Sequence, residues 1–208
     1  MPRDGAPTRE KILDATEALV LDHGFTGTAI DMVLERAGIT KGAFFYHFKS
    51  KGELAKALVE RYAEQDLHKL EEFMGRAERL SRDPLQQVLI FIGLFEEAVE
   101  ELTEPYPGCL FASYCYESRQ FEPDTMRVIS ATFLRWRERL GAKLEEVIAC
   151  HPPRLEVDAA SLADLVTTVF EGAFIMSRTL EDPRIVAQHL RHYRNYIELL
   201  FTPDAPRR

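Results

Sequence analysis

The 208-residue chain is predicted to be all-α, with a three-helix N-terminal domain followed by a larger helical bundle, about nine helices in all. Three observations predict this. Apolar residues recur at a spacing of 3.6 throughout, and no segment sustains the alternation of a strand. Helix start and stop residues punctuate the chain at regular intervals. A 24-residue stretch, Thr28 to Lys51, reads as helix, glycine-containing turn and second short helix.

Taken in order, residues 1–7 (MPRDGAP) form a loose polar arm in which Arg3, with Arg9 beyond it, is placed to reach DNA or to be solvated. Thr8 is expected to cap the first helix, whose stripe is Ile12, Ala15, Thr16 and Leu19. Gly24 ends it, and Phe25 plugs the small core. Thr28 and Asp31 have capping-box form, so the second helix is expected to start there and to end at Gly38 in a left-handed cap. Thr40 caps a third, KGAFFYHF, with Phe44 and Phe48 four apart and facing inward. Ser50 and Glu53 form a second capping box, opening a fourth helix that runs to about Leu80.

The domain boundary is expected inside that fourth helix, near Lys56 to Glu60, giving domains of 1–56 and 57–208. Asp83-Pro84 opens the fifth helix, apolar nearly all round at its centre and therefore buried. A short helix follows at 109–117, after Pro105 and Pro107-Gly108. Pro123 opens the seventh, which His151-Pro152-Pro153 ends. The eighth begins near Asp158 and the ninth at Asp182-Pro183, before a tail from Pro203.

The second short helix has the composition of a DNA reader. Thr40, Lys41, Tyr46 and His47 are polar and lie within two turns. Gly42 has no side chain to hold the helix away from a groove floor. Thr28 and Lys51 flank the unit as further contacts. Lys41 and the early polar groups are placed at base edges, and Tyr46, His47 and Lys51 at phosphates. The formal net charge of −8 argues against a nucleic-acid partner only until it is mapped. Residues 1–56 carry eight basic and eight acidic side chains, so the deficit lies downstream. Residues 40–51 hold Lys41, Lys49 and Lys51 and no acid.

Residues 8–56 resemble the DNA-binding domain of the TetR family of bacterial regulators. The resemblance is carried by TREKILDA at 8–15, HGF at 23–25 and AGITKGAFFYHFKSKGEL at 37–54. Phe45 departs from it, standing where a Tyr is common, so a DNA-facing hydroxyl is missing. The resemblance implies a ligand-responsive regulator, expected to be a repressor, that binds a double-stranded DNA operator as a homodimer through its eighth and ninth helices. Phe170, Phe174, Tyr193, Tyr196 and Ile197 are the apolar candidates for that interface. It also implies a small-molecule inducer pocket in the C-terminal bundle. Phe91, Phe95, Phe111, Phe133, Trp136, Phe170 and Phe174 are candidates to line it, although aromatics of this kind also simply fill cores. PGCLFA at 107–112 resembles a motif of one branch of the family, some members of which sense electrophiles or oxidants through the cysteine. Cys109 is therefore placed with the pocket residues, while Cys115 and Cys150 are expected to be packing residues.

Other chemistries find little support. Three cysteines without CxxC spacing read as thiols in a reducing cytoplasm. No export signal is visible, and the apolar runs look too short and too interrupted to cross a bilayer. His189 and His192 lie three apart without a third ligand in register, so no metal or other cofactor is expected. No catalytic motif appears. A helical module that docks protein remains an alternative, and a small-molecule enzyme on a bundle is a weaker one.

Overall fold

The structure is a computed structural model and describes residues 6–202. Among these, nine α-helices follow one another with no strand: α1 (Ala6–Gly27), α2 (Ile30–Ala37), α3 (Lys41–His47), α4 (Lys51–Leu80), α5 (Pro84–Glu100), α6 (Leu110–Tyr116), α7 (Pro123–Cys150), α8 (Ala159–Leu180) and α9 (Arg184–Phe201). One 3₁₀ turn, Ser118–Gln120, was not expected from the sequence. The expected arm with Arg3 and the tail from Pro203 lie outside the described residues, but Ala6 and Pro7 are already helical, so Thr8 lies inside α1 rather than capping it.

Most termini form as their residues dictate. Gly38 is left-handed (φ 64°, ψ 39°), and Thr40 accepts the Ala43 N–H at 3.2 Å. Asp83 accepts the Gln86 N–H and Asp158 that of Ser161, each fixing the first turn behind it. At α4, Ser50 accepts the Glu53 N–H, while Glu53 reaches back to Lys49 N–H at 2.8 Å. The start of α2 departs from expectation. Its N-cap is Ala29, with no side-chain cap. Gly24 (φ 73°, ψ 167°) breaks α1 and frees its own carbonyl, and the Thr28 hydroxyl donates to that carbonyl at 2.8 Å. Thr28 is thereby drawn inward and is 1% exposed.

The chain forms two compact units, divided differently from the expected 1–56 and 57–208 because a later segment of the chain packs with the first helices. The first runs through Gln65 and includes Pro107–Ala131; the second contains Asp66–Tyr106 and the chain from Thr132. In the first, α1, α2 and α3 close around Ile12, Leu13, Val33, Phe44 and Phe48, all at most 1% exposed. Phe25 is buried as expected, but its ring meets Tyr114 (5.6 Å) and Phe121 (4.7 Å), residues far along the chain. In the second, α4, α5, α7, α8 and α9 share a core containing Leu70, Met74, Phe91, Leu140, Leu144, Val166 and Ile197.

Three expectations about this second unit need correction. Tyr193 and Ile197 belong to the core, with Tyr193 donating its hydroxyl proton to the Leu162 carbonyl at 2.9 Å. Cys150, like Cys115 in the first unit, is exposed and not a packing residue. Helix α8 is, by length and composition alone, apolar enough to cross a membrane, since its charges leave an 18-residue window with at most two. It instead contributes Leu162, Ala163, Val166 and Ala173 to buried clusters.

The second unit also holds a carboxylate in apolar surroundings. Asp66 on α4 accepts the Trp136 indole N–H at 2.5 Å. Burial pushes the carboxyl up to about 6 from 3.8, more than the indole hydrogen bond lowers it. The folded state thus holds this proton more tightly than the unfolded chain. The group's contribution to stability is complete below pH 3.8, falls as pH rises through 6, and is constant beyond. The penalty at neutral pH is about 3 kcal/mol. Asp66→Asn, which keeps an acceptor for the indole, is expected to gain that amount over the parent at pH 7.5 and nothing at pH 3.5 in denaturant unfolding. An equal difference at both pH values would contradict the assignment.

Candidate nucleic-acid interface

Helix α3 is amphipathic over only seven residues, and its two faces do different work. Phe44 (0% exposed) and Phe48 (1%) anchor it, their rings 6.0 Å apart, with the Arg9 guanidinium 5.5 Å from the Phe48 ring. Lys41, Gly42, Phe45 and Tyr46 are exposed on the outer side, Tyr46 at 81%. The His47 ring is half-buried and edge-on to Tyr46 at 5.0 Å. Thr40 is exposed, with its hydroxyl oxygen occupied as the cap.

Gly42 is not required by the fold. Its backbone is not left-handed, and a Cβ added there would find only Thr40 Oγ1, at 4.0 Å. Glycine costs a helix interior about 0.5–1 kcal/mol relative to alanine, so its presence fits close approach by something outside the chain.

Lys51 is placed differently from expectation. Its ammonium donates to the Phe25 carbonyl at 2.6 Å and lies 4.2 Å from the Phe25 ring centre. Burial lowers its pKa, and the nearby Glu117 charge partly restores it. The ammonium is thus turned toward the α1–α2 corner. Of the expected DNA residues, Thr40, Lys41, Gly42 and Tyr46 share the exposed side of α3, His47 is at its margin, and Thr28 and Lys51 point inward. Phe45, 41% exposed, belongs with the outer set. Its spacing of three from Gly42 and four from Lys41 was the available signal.

The aromatic residues divide between the two units. In the second, Phe95 is a hub with its ring centre 4.6 Å from Phe73, 5.2 Å from Phe91, 5.7 Å from Trp136 and 5.4 Å from Phe170. Phe174 continues the chain at 5.8 Å from Phe170 and stacks on Tyr106. Phe133 is half-buried on α7. Phe111 and Cys109 belong to the first unit, where Phe111 packs edge-on against Tyr62 at 4.9 Å and half-buried Cys109 is the N-cap of α6. Among the described residues, no group of three His, Cys, Asp or Glu side chains is placed to hold a metal.

A glycine-turned helix pair that buries two phenylalanines and presents lysine, tyrosine and a bare glycine defines a helix-turn-helix DNA-binding module. Residues 12–58 match the family described as bacterial regulatory proteins, tetR family, and residues 79–193 match the tetracyclin repressor-like C-terminal domain. The chain belongs to the TetR family and is a DNA-binding transcriptional regulator, not an enzyme. It is 25% identical over 180 residues to an uncharacterized HTH-type transcriptional regulator of Lactococcus lactis subsp. lactis, covering 86% of this chain and 87% of the relative. A TetR transcriptional regulator from Chloroflexus aurantiacus has a similar structure, with a TM-score of 0.76 and 29% identity over 95% of this chain and 98% of that one. The reduced form of Escherichia coli NemR shares the fold, with a TM-score of 0.75 and 21% identity over 96% of this chain and all of that one. Regulators of this family bind operators, form dimers and respond to small molecules.

Proposed function

We propose that this chain is a cytoplasmic repressor that binds its operator through the outer face of α3 and leaves it when a small apolar, aromatic or electrophilic molecule binds. The observation that carries this reading is the division of α3 into a buried Phe44–Phe48 side and an exposed Lys41–Gly42–Phe45–Tyr46 side. Lys41 contacts base edges, Tyr46 and His47 contact phosphates, and Phe45 offers an apolar surface suited to a thymine methyl group. Residues 1–56 supply the reading head, although the compact unit around it also takes in residues 107–131, and the effector and the partner copy are held within 57–208. The ring cluster around Phe95 suits an apolar or aromatic effector, and Cys109 supplies a thiol for an electrophilic one. An effector shifts the DNA-binding equilibrium only by its differential affinity for the two conformers. A reporter driven by the promoter of the chain's own gene tests the reading. Expression should fall when the chain is present and recover with aromatic or electrophilic compounds; unchanged expression in its presence would contradict it.

The dimer is proposed to form through α8 and α9. Their exposed side chains include Ile175 (55% exposed), Met176, Leu180, Tyr196 and Leu199 (64%), a concentration of large apolar residues on two helices that suits a partner surface. A two-fold pair would space its reading heads by about 34–36 Å or a multiple of it. Ile175→Glu is expected to give a monomer by light scattering at micromolar concentration, with stability changed by less than about 0.5 kcal/mol per chain beyond the loss of association. A monomeric parent, or a variant that remains dimeric, would remove this interface.

A further inference from the structure

The corner between α1 and α2 is held by a residue that lies more than ninety positions away. Gly24, with φ 73°, turns the N–H groups of Phe25 and Thr26 toward the Glu117 side chain. Glu117 Oε1 accepts the Phe25 N–H at 2.7 Å, and Oε2 accepts the Thr26 N–H at 2.8 Å together with the Thr26 hydroxyl. On the other side of the same peptide, the Lys51 ammonium donates to the Phe25 carbonyl at 2.6 Å. A Cβ at position 24 would lie 2.7 Å from Glu117 Oε1, so the corner needs glycine both for its backbone and for the carboxylate's approach.

Glu117 is the C-cap of α6. Burial alone would raise its pKa, but the Thr26 and Phe25 hydrogen bonds and the Lys51 charge hold it below the ordinary carboxylate range. The neighbouring rings fix the same corner: Tyr114 stacks on Phe121 at 4.1 Å, both touch Phe25, and the Tyr114 hydroxyl donates to the Ala55 carbonyl at 3.3 Å. All of these groups lie in one compact unit with α1, α2 and α3.

We propose that Glu117 is a positioning residue for DNA reading, a carboxylate clamp that sets the Gly24–Thr26 corner and with it the angle at which α2 and α3 leave α1. This rests on the assignment of α3 as the reading helix. A displacement of α6, including one starting at its Cys109 end, then reaches α3 through a few charge-assisted hydrogen bonds.

The test uses the full chain, the duplex upstream of its own gene and an unrelated duplex. In Glu117→Ala the Phe25 and Thr26 amides should exchange about tenfold faster, with Ile92 on α5 unchanged. Affinity for the upstream duplex should fall about tenfold, while weak binding to the unrelated duplex stays as in the parent. Glu117→Gln keeps one acceptor and should lie between the two in both measurements. The proposal is overturned if the two amides stay protected in Glu117→Ala, if specific affinity is unchanged, or if specific and unrelated binding fall together. A parent without preference for the upstream duplex would instead sink the reading assignment, and with it the positioning role, while amide exchange would still report the clamp itself.

Discussion

Replacing Lys41 and Tyr46 together by alanine is expected to weaken operator binding strongly, to reduce sequence preference and to leave the fold intact. Both side chains are exposed, and surface substitutions of this kind change stability by about 0.5 kcal/mol or less. A well-placed side-chain contact to DNA is worth about 1–3 kcal/mol, so the pair should cost roughly 30-fold to 10⁴-fold in affinity. Lys41→Ala alone should also alter which sequences are preferred, whereas Tyr46→Ala should weaken all of them. Lys51→Ala is a different experiment, because it removes the donor that holds the Phe25 carbonyl and should lower stability as well as affinity. Operator affinity that survives the double replacement would show that another surface reads the DNA.

A second large effect is expected one residue apart on the same helix. Phe44→Ala empties a fully buried site and should cost about 3–5 kcal/mol, enough to unfold much of the reading head. Phe45→Ala removes a ring that is 41% exposed and should cost little stability while reducing DNA affinity. Denaturant unfolding and binding measured on both variants would show opposite patterns. Similar stability losses at the two positions would mean that α3 is rotated from the orientation described.

The helices and most caps were legible because their causes are local. Asp83-Pro84, Gly38, Thr40 and the Phe44–Phe48 pair each act within one turn, and each forms as its residue type requires. The failures are tertiary. Thr28 fits a capping box by spacing, but its hydroxyl donates to the carbonyl released at Gly24, and no side chain caps the first turn of α2. Lys51 looks like a phosphate contact in a run free of acids, yet the carbonyl it binds lies 26 residues earlier and its charge partner, Glu117, lies far downstream. Tyr193 and Ile197 share apolar character with the residues around them, and only packing shows that they face inward while Tyr196 and Leu199 face outward. The pocket candidates form one set in the sequence, but Cys109 and Phe111 fall in a different compact unit from Phe95 and Trp136.

The exposed side of α3 is the surface proposed to read a DNA sequence. Fluorescence anisotropy with the duplex upstream of the chain's own gene and with a scrambled duplex of equal length, at several salt concentrations, measures it directly. At least about a thousandfold preference for the upstream duplex is expected at physiological salt, with affinity for both falling as salt rises. Equal affinity for the two duplexes, or no binding to either, would contradict it.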